Sequence, residues 1–499
     1  MELQFQSNAC RCLKSLVREV CNTELTQEVR LSDGMPDIGR VLASWGQIIL
    51  RSKEWQTDQV TVSGGIMVWI LYAPEDGTPP RCMDTWVPFQ VKWETEHADS
   101  EGPVHAHPLL RFVDSRGTSA RKVMVRAGVA LMGEAYVPMV AQVYSPAEIP
   151  EDIQLLKNTY PIRIPKEAGE KTFLLDEEMQ LPAGSVQPER LLAYTITPQI
   201  HEKRVSDDKV ILRGSGKIHI IYRCKEGKVH SADMELPFSQ FAQLENSYGS
   251  DAQADTALGI TSLELQQNED TQLRVKCGIV TQYLITDRYL AEVTEDAYSP
   301  CRDLERKLEE LNLPSVLEQR TELVQVQQKQ SGNEGIIADA VFLPDFPRQS
   351  RKGDQLTLEL AGQFQLLYYT GDESLQGSTV RWESTLQILS DADTHLSCQV
   401  LPIGTVQAAS GVDEMNLNAQ MKLELQTYMQ TSIPAISALV MGDPAEPDPE
   451  RPSLILCRME DQTLWDIAKR CGSTVEEIRR MNQLGDNVDS KRMLLIPVK

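Results

Sequence analysis

The chain has 499 residues, 49 Lys and Arg against 72 Asp and Glu, and a formal charge of −23. That length suggests roughly three to four domains of about 100–200 residues each, and a hydrophobic content of 41% excludes wholesale disorder. The acidic balance excludes a general electrostatic grip on nucleic acid or anionic lipid. No apolar run approaches the roughly 20 residues of a membrane helix, so membrane insertion is not expected either.

The N-terminal stretch MELQFQSNACRCLKSLVREV is polar from the start and lacks the charged-then-apolar pattern of a signal peptide. The protein is therefore expected to stay in the compartment that made it. Leu13, Leu16, Val17 and Val20 suggest a short helix here, although the β-rich TQEVRL follows closely. The ten cysteines are scattered and contain no C-x-x-C pair, a pattern of reduced, buried thiols rather than of disulfides or structural zinc.

The most informative feature of the first 440 residues is self-similarity. Val60–Tyr72 (VTVSGGIMVWILY), Val210–Tyr222 (VILRGSGKIHIIY) and Leu356–Tyr368 (LTLELAGQFQLLY) start 150 and 146 residues apart, and each ends in an aliphatic pair and a Tyr. A second set of blocks begins at Val123, Leu273 and Leu417, which lie 63, 63 and 61 residues after the first. Apolar and polar residues alternate within the blocks, as in strands with one buried face. The mid-block glycines suggest a bulge or bend. The reading is three tandem β-rich repeats, sandwich-like or barrel-like, over 1–150, 151–300 and a divergent 301–441. In the first repeat Met67, Trp69 and Leu71 make the outer face apolar, so it should be covered: by its own N-terminal segment, by the second repeat, or by a partner. Arg302–Leu311 places Leu304, Leu308 and Leu311 on one stripe and predicts an amphipathic connecting helix.

Residues 442–452, GDPAEPDPERP, hold four prolines and four acidic residues and predict an extended spacer that lets the tail search and dock. The tail, 453–499, carries a net +1 against −24 for everything before it. It reads strand–helix–helix–strand: LILC, a helix opened by Thr463 with Asp466 in a capping box and closed by Gly472, a second opened by Thr474 with Glu477, and MLLIP.

The segment QTLWDIAKRCGSTVEEIRRMNQL resembles the LysM domain, which makes the tail a small α+β (βααβ) unit on a mainly β chain. The resemblance implies binding to N-acetylglucosamine polymers such as peptidoglycan through the loops after the first strand and before the last. Those loops depart from the family, with Asp461-Gln462-Thr463 for Gly-Asp-Thr and Ser490-Lys491-Arg492 for Pro-Gly-Gln. Side chains then stand where glycine would let a sugar approach, which favours a protein ligand. Candidate binding residues are Asp461, Gln462, Thr463, Leu464, Trp465, Arg479, Asn482, Lys491 and Arg492. Trp465 reads either as a partner anchor or as a cap on the small core. Arg479 and Arg480 read as partner contacts or as a solvated helix face.

The body resembles the SPOCS domain of endospore-forming Firmicutes: CRCLKSLVREVCNTELTQEVRLSDGMPDIGRVLASWGQIIL with Met35-Pro36-Asp37-Ile38, then VTVSGGIMVWILYAPEDG and TWVPF. The second repeat keeps Leu181 in the place of Leu31 and the late Glu235–Phe238, but has Gln187-Pro188-Glu189 where Pro-Asp-Ile would fall. SPOCS copies followed by a LysM tail imply a spore-coat morphogenetic protein in the mother-cell cytoplasm. Its tail would dock on the ATPase of the coat basement layer at the forespore surface, and its body would contact other spore-coat proteins.

No catalytic constellation stands out. Gly169-Glu170-Lys171-Thr172 interrupts a P-loop, His201-Glu202-Lys203-Arg204-Val205 lacks the second zincin ligand, and no G-x-S-x-G occurs. His105 and His107 read as an exposed loop pair rather than as metal ligands with Cys82. No enzyme activity, cofactor or metal is expected.

Overall fold

The computed structural model describes residues 2–56, 58–95, 102–146, 148–269, 271–331, 335–410, 414–444, 452–459, 462–485 and 493–498. The body is antiparallel sheet, and its strands fall into three successive sets with one pairing scheme. In each set a very long strand pairs with the last strand of the set: Gln6–Arg30 with Lys122–Ser145, Gln154–Gln180 with Gln272–Tyr298, and Arg302–Ser331 with Glu414–Pro444. A third strand flanks each ribbon: Val104–Ser119, Gln253–Glu269 and His395–Ser410. The residues between form a second sheet per set: Ile38–Gln56, Gln59–Pro74 and Arg81–Glu94; then Pro188–Cys224 with Val229–Tyr248; then Gln355–Thr370 between Leu375–Leu389 and the pair Gly335–Pro344 and Arg348–Lys352.

The correspondence reaches single residues. Each long ribbon skips one residue at the same place, Leu16, Lys166 and Leu317, and such a bulge bends the strand and increases its twist. Leu31 N–H donates to the Arg121 carbonyl at 2.9 Å, and Leu181 N–H does the same to Thr271 at 3.1 Å. The turns use Gly34 and Gly184, then Gly77 and Gly227, all at φ between 74° and 90°, a region that suits glycine. The mid-block glycines serve a different end from the expected bulge in the second set, whose pairing runs unbroken through Gly214 and Gly216. A Cβ on Gly214 would lie 2.1 Å from the Gln199 carbonyl, and one on Gly65 would lie 2.2 Å from the Trp86 ring, so these positions are small because neighbours press on them.

The three sets close on one another around shared apolar cores. Cys10 and Cys12, Ile162 and Ile164, and Leu311 and Leu313 meet in one buried cluster, each pair brought in by its own long strand. A second cluster joins Trp45, Trp69 and Leu71 to Leu192 and Ile221 and to Ala338 and Leu367. The apolar face of Met67, Trp69 and Leu71 is therefore covered by both later sets. Side-chain amides complete the ring. Gln47 accepts from Ile196 N–H at 2.8 Å, Gln199 donates to the Pro402 carbonyl at 2.7 Å, and Gln365 donates to the Val113 carbonyl at 3.0 Å. At the N-terminus, Glu2–Gln4 adds a strand to the third set beside Ala438–Val440.

Both helices predicted in the body are strands. Arg302–Leu311 is the start of a 30-residue strand paired along its length, in which Leu311 is buried and Leu308 exposed. Leu13 and Val17 lie in the 25-residue strand Gln6–Arg30, and Val20 is exposed. A long partner strand supplies the backbone hydrogen bonds here, and tertiary pairing overrides a weak local preference. His105 and His107 are also not an exposed loop pair. They lie on strand Val104–Ser119 and are buried, edge-on to Tyr136 and Phe346 at 5.3 and 5.8 Å. Burial pushes the pKa of His105 down to about 3, so it packs as a neutral ring. None of the ten cysteines, all of them among the described residues, is in a disulfide, and six are buried.

One buried ion cluster spans all three sets. His219 Nδ1 bonds Asp233 at 2.7 Å, its Nε2 makes a poorly aligned ion contact with Asp339 at 2.9 Å, and Trp45 Nε1–H donates to Asp339 at 2.9 Å. Burial disfavours the charged imidazole, but the charge of Asp339 with the hydrogen bond to Asp233 and its charge outweigh it and raise the pKa to about 10. The folded value lies above the ~6.5 of an unfolded histidine. The stabilisation is thus whole below about pH 6.5 and is lost as pH rises through about 10. The melting temperature is expected to fall between pH 6.5 and 10. His219→Gln should lower it at pH 6.5, by about 3–5 kcal/mol of stability for a broken buried pair, and flatten the pH profile. A thermal-melt series of both proteins checks this.

Candidate functional site

The tail folds as expected from its pattern: strand Leu454–Arg458 pairs antiparallel with Met493–Pro497, and α1 (Leu464–Cys471) and α2 (Val475–Asn482) run between them. The Thr463 side chain accepts from Asp466 N–H, and the Asp466 carboxylate accepts from Thr463 N–H at 2.9 Å, so the capping box is complete. The Thr463 hydroxyl, which donates to the Asp466 carboxylate at 2.7 Å, and the Thr463 N–H together hold the Asp466 pKa below the usual carboxylate range. Gly472 ends α1 at φ 63°. Thr474 caps α2 by accepting from Glu477 N–H. Leu464, Ile467, Ala468, Cys471, Ile478, Leu494 and Ile496 form the core.

That core is not closed by the tail alone. Tyr298, the last residue of the second set, is buried in it, edge-on to Trp465 with ring centroids 4.8 Å apart. Its hydroxyl donates to the Ser473 carbonyl at 3.0 Å. Two residues earlier, Asp296 accepts from Trp465 Nε1–H at 2.8 Å and from Lys469 at 2.7 and 2.9 Å, and also pairs with Arg306. Burial opposes its charge, but the bonds from Lys469 and Trp465, with the charge of Lys469, keep its pKa below the ordinary value.

A cleft of about 720 Å³ opens at this junction, with Gln462, Thr463, Leu464 and Trp465 on one side, Val475, Glu476 and Arg479 on another, and Gln154–Leu156 of the body as its far wall. Five candidate residues, Gln462, Thr463, Leu464, Trp465 and Arg479, thus line one space. Asn482 serves elsewhere. Its amide donates to the Leu495 carbonyl at 2.6 Å and accepts from Leu495 N–H at 2.8 Å, fastening α2 to the last strand. Asp461, Lys491, Arg492 and spacer residues 445–451 lie outside the described residues. A slightly larger cleft of about 810 Å³ lies between the first and third sets. It mixes Arg348 and Arg381 with Glu359 and Glu383, and holds no candidate residue.

Two features escaped the sequence reading. Asp296 and Tyr298 sit at the end of an ordinary alternating strand, with no local mark of a role in the tail. The outer face of the tail sheet, Leu454, Leu456, Met493 and Leu495, is apolar yet 39–62% exposed, and the unbroken apolar runs LILC and MLLIP, whose successive side chains face opposite sides of a strand, did carry that signal. Among the described residues no group of three or more His, Cys, Asp or Glu is placed to hold a metal ion. No helix among them is long and apolar enough to cross a membrane.

Comparison with known families matches residues 187–266 to the family described as SipL, SPOCS domain, and residues 459–497 to the LysM domain. The SPOCS match falls within 151–300, whereas most of the motifs that resemble the domain lie within 1–150. No curated protein and no solved structure matches. Both matched domains are binding or structural modules, and together they mark a sporulation protein with a LysM module. Asn482→Ala is expected to cost the tail about 1–3 kcal/mol, the penalty for unpaired backbone groups. Hydrogen exchange should show faster exchange in 493–497 and unchanged body strands.

Proposed function

We propose, from the premise that the chain carries a SPOCS domain and a C-terminal LysM domain, that it is a non-enzymatic assembly scaffold of the spore coat. In this reading 1–150, 151–300 and 301–441 are three copies of one β module that form a rigid acidic body, 442–452 is the joint, and 453–499 is the docking unit. The docking target is the ATPase of the coat basement layer, reached from the mother-cell cytoplasm at the forespore surface. Other coat proteins contact the body. The observation that carries the reading is the convergence of Gln462, Thr463, Leu464, Trp465 and Arg479 on one cleft. The side chains that replace the family's loop glycines support a polypeptide ligand over a sugar. Many tails facing a polymerised layer would also gain avidity that one small cleft lacks.

A second reading, binding of peptidoglycan or another N-acetylglucosamine polymer, is favoured by the LysM match itself and by a cleft that sets an indole beside amide and guanidinium groups. Binding of the full-length protein to purified coat ATPase and to chitotetraose separates the two. Saturable binding to the ATPase is expected, weakened about tenfold, or ~1.4 kcal/mol, by Arg479→Glu. Saturable chitotetraose binding with indifference to the ATPase overturns the scaffold reading in favour of the glycan one.

A further inference from the structure

We propose that Asp296 and Tyr298 latch the C-terminal module against the body, and that the part of the Trp465 indole held by the body is free for a partner only when this latch opens. The proposal rests on the reading that the module docks a partner and adds how that docking is gated. The contact engages Trp465 on two sides. The indole N–H is taken by Asp296 at 2.8 Å, and the Tyr298 ring lies edge-on to the indole at 4.8 Å. A tryptophan held this way cannot enter a partner's pocket without leaving the body first.

The chemistry of the contact suits a latch that opens. One carboxylate carries most of it, receiving Trp465 and Lys469 from the tail while also pairing with Arg306 of the body, and the Lys469 side chain is 36% exposed. Asp296 itself is only 17% exposed, but the Lys469 end of the pair reaches solvent, where salt screens it. Tyr298 supplies the apolar share, with its ring buried in the tail core and its hydroxyl on the Ser473 carbonyl just beyond α1. The far wall of the cleft, Gln154–Leu156, belongs to the body, so opening the latch also removes that wall and widens access to Gln462 and Arg479. A partner that binds only the open form sees an affinity reduced by the fraction of molecules that are open.

The test uses the full-length protein and reads the latch independently of any partner. Asp296→Lys sets a cation against Lys469 and Arg306. Asp296→Lys with Lys469→Asp restores attraction, and Tyr298→Phe removes only the hydroxyl. Amide exchange in 464–471 is expected to quicken at least tenfold in Asp296→Lys, to recover in part in the double variant, and to quicken about threefold in Tyr298→Phe, with body amides unchanged. Affinity for purified coat ATPase should rise about tenfold in Asp296→Lys. Identical exchange of 464–471 in the wild type, Asp296→Lys and Tyr298→Phe overturns the latch. Faster exchange with unchanged or weaker ATPase affinity overturns the gate. If Asp296→Lys disturbs the body amides, Tyr298→Phe decides both points. If no variant binds the ATPase, the docking reading fails, and the exchange data still decide the latch.

Discussion

The burial of six side chains, Cys10, Cys12, Ile162, Ile164, Leu311 and Leu313, in one cluster is the constraint on which the body depends. Each long strand carries an apolar pair into this cluster, where Ala141, Val143, Ala291, Val293, Ile433 and Ala435 of the paired strands join them, so that each set is covered in part by the other two. Apolar area removed from water at about 25 cal/mol per Å² makes such shared burial the strongest force available. The bulges at Leu16, Lys166 and Leu317 recur at one position in the three ribbons, as expected if each must bend the same way to deliver its pair. The Gln47, Gln199 and Gln365 amides then tie the first set to the second, the second to the third and the third to the first, so that no interface stands alone.

Polar groups inside this body are spent on joining. Asp339 of the third set meets His219 of the second and Trp45 of the first. Arg18 of the first set pairs with Glu134 at 2.8 Å and stacks 4.0 Å over the Tyr428 ring of the third. Gln282 of the second set bonds both backbone groups of Ala106 of the first, at 2.7 and 2.8 Å. Buried charges that lose a partner are costly, so these groups read as fasteners between sets, an arrangement that accords with a scaffold.

The strands were legible in the sequence because alternation is a local property: Leu356, Leu358 and Leu360 are buried on the face their spacing announces. The tail was legible for the same reason, since capping boxes and αL glycines act within a few residues. Arg302–Leu311 misled because leucines three or four apart fit a helix, while the strand that captures them lies more than a hundred residues away at Ile433–Met441. His105 and His107 misled because flanking prolines suggest a loop, and nothing nearby tells of the Tyr136 and Phe346 rings that bury them. Of the candidate cleft, Gln462 and Thr463 stand out in the sequence as departures from the family's loop, Trp465 as a partly exposed indole and Arg479 as a charge off the apolar face of α2. The partners of Trp465 at Asp296 and Tyr298 do not, because they come from a strand with no distinctive composition.

A trunk whose three parts stabilise one another, with a small α+β module seated on its second part, is the physical picture from which the proposed scaffold role follows. Its central claim is mutual dependence of the three sets. Hydrogen exchange across a denaturant series tests it most directly, by following the segments around residues 10–12, 162–164 and 311–313 in the full-length protein. Loss of protection at one shared midpoint in all three segments is the expected result. Three separate midpoints would contradict the account.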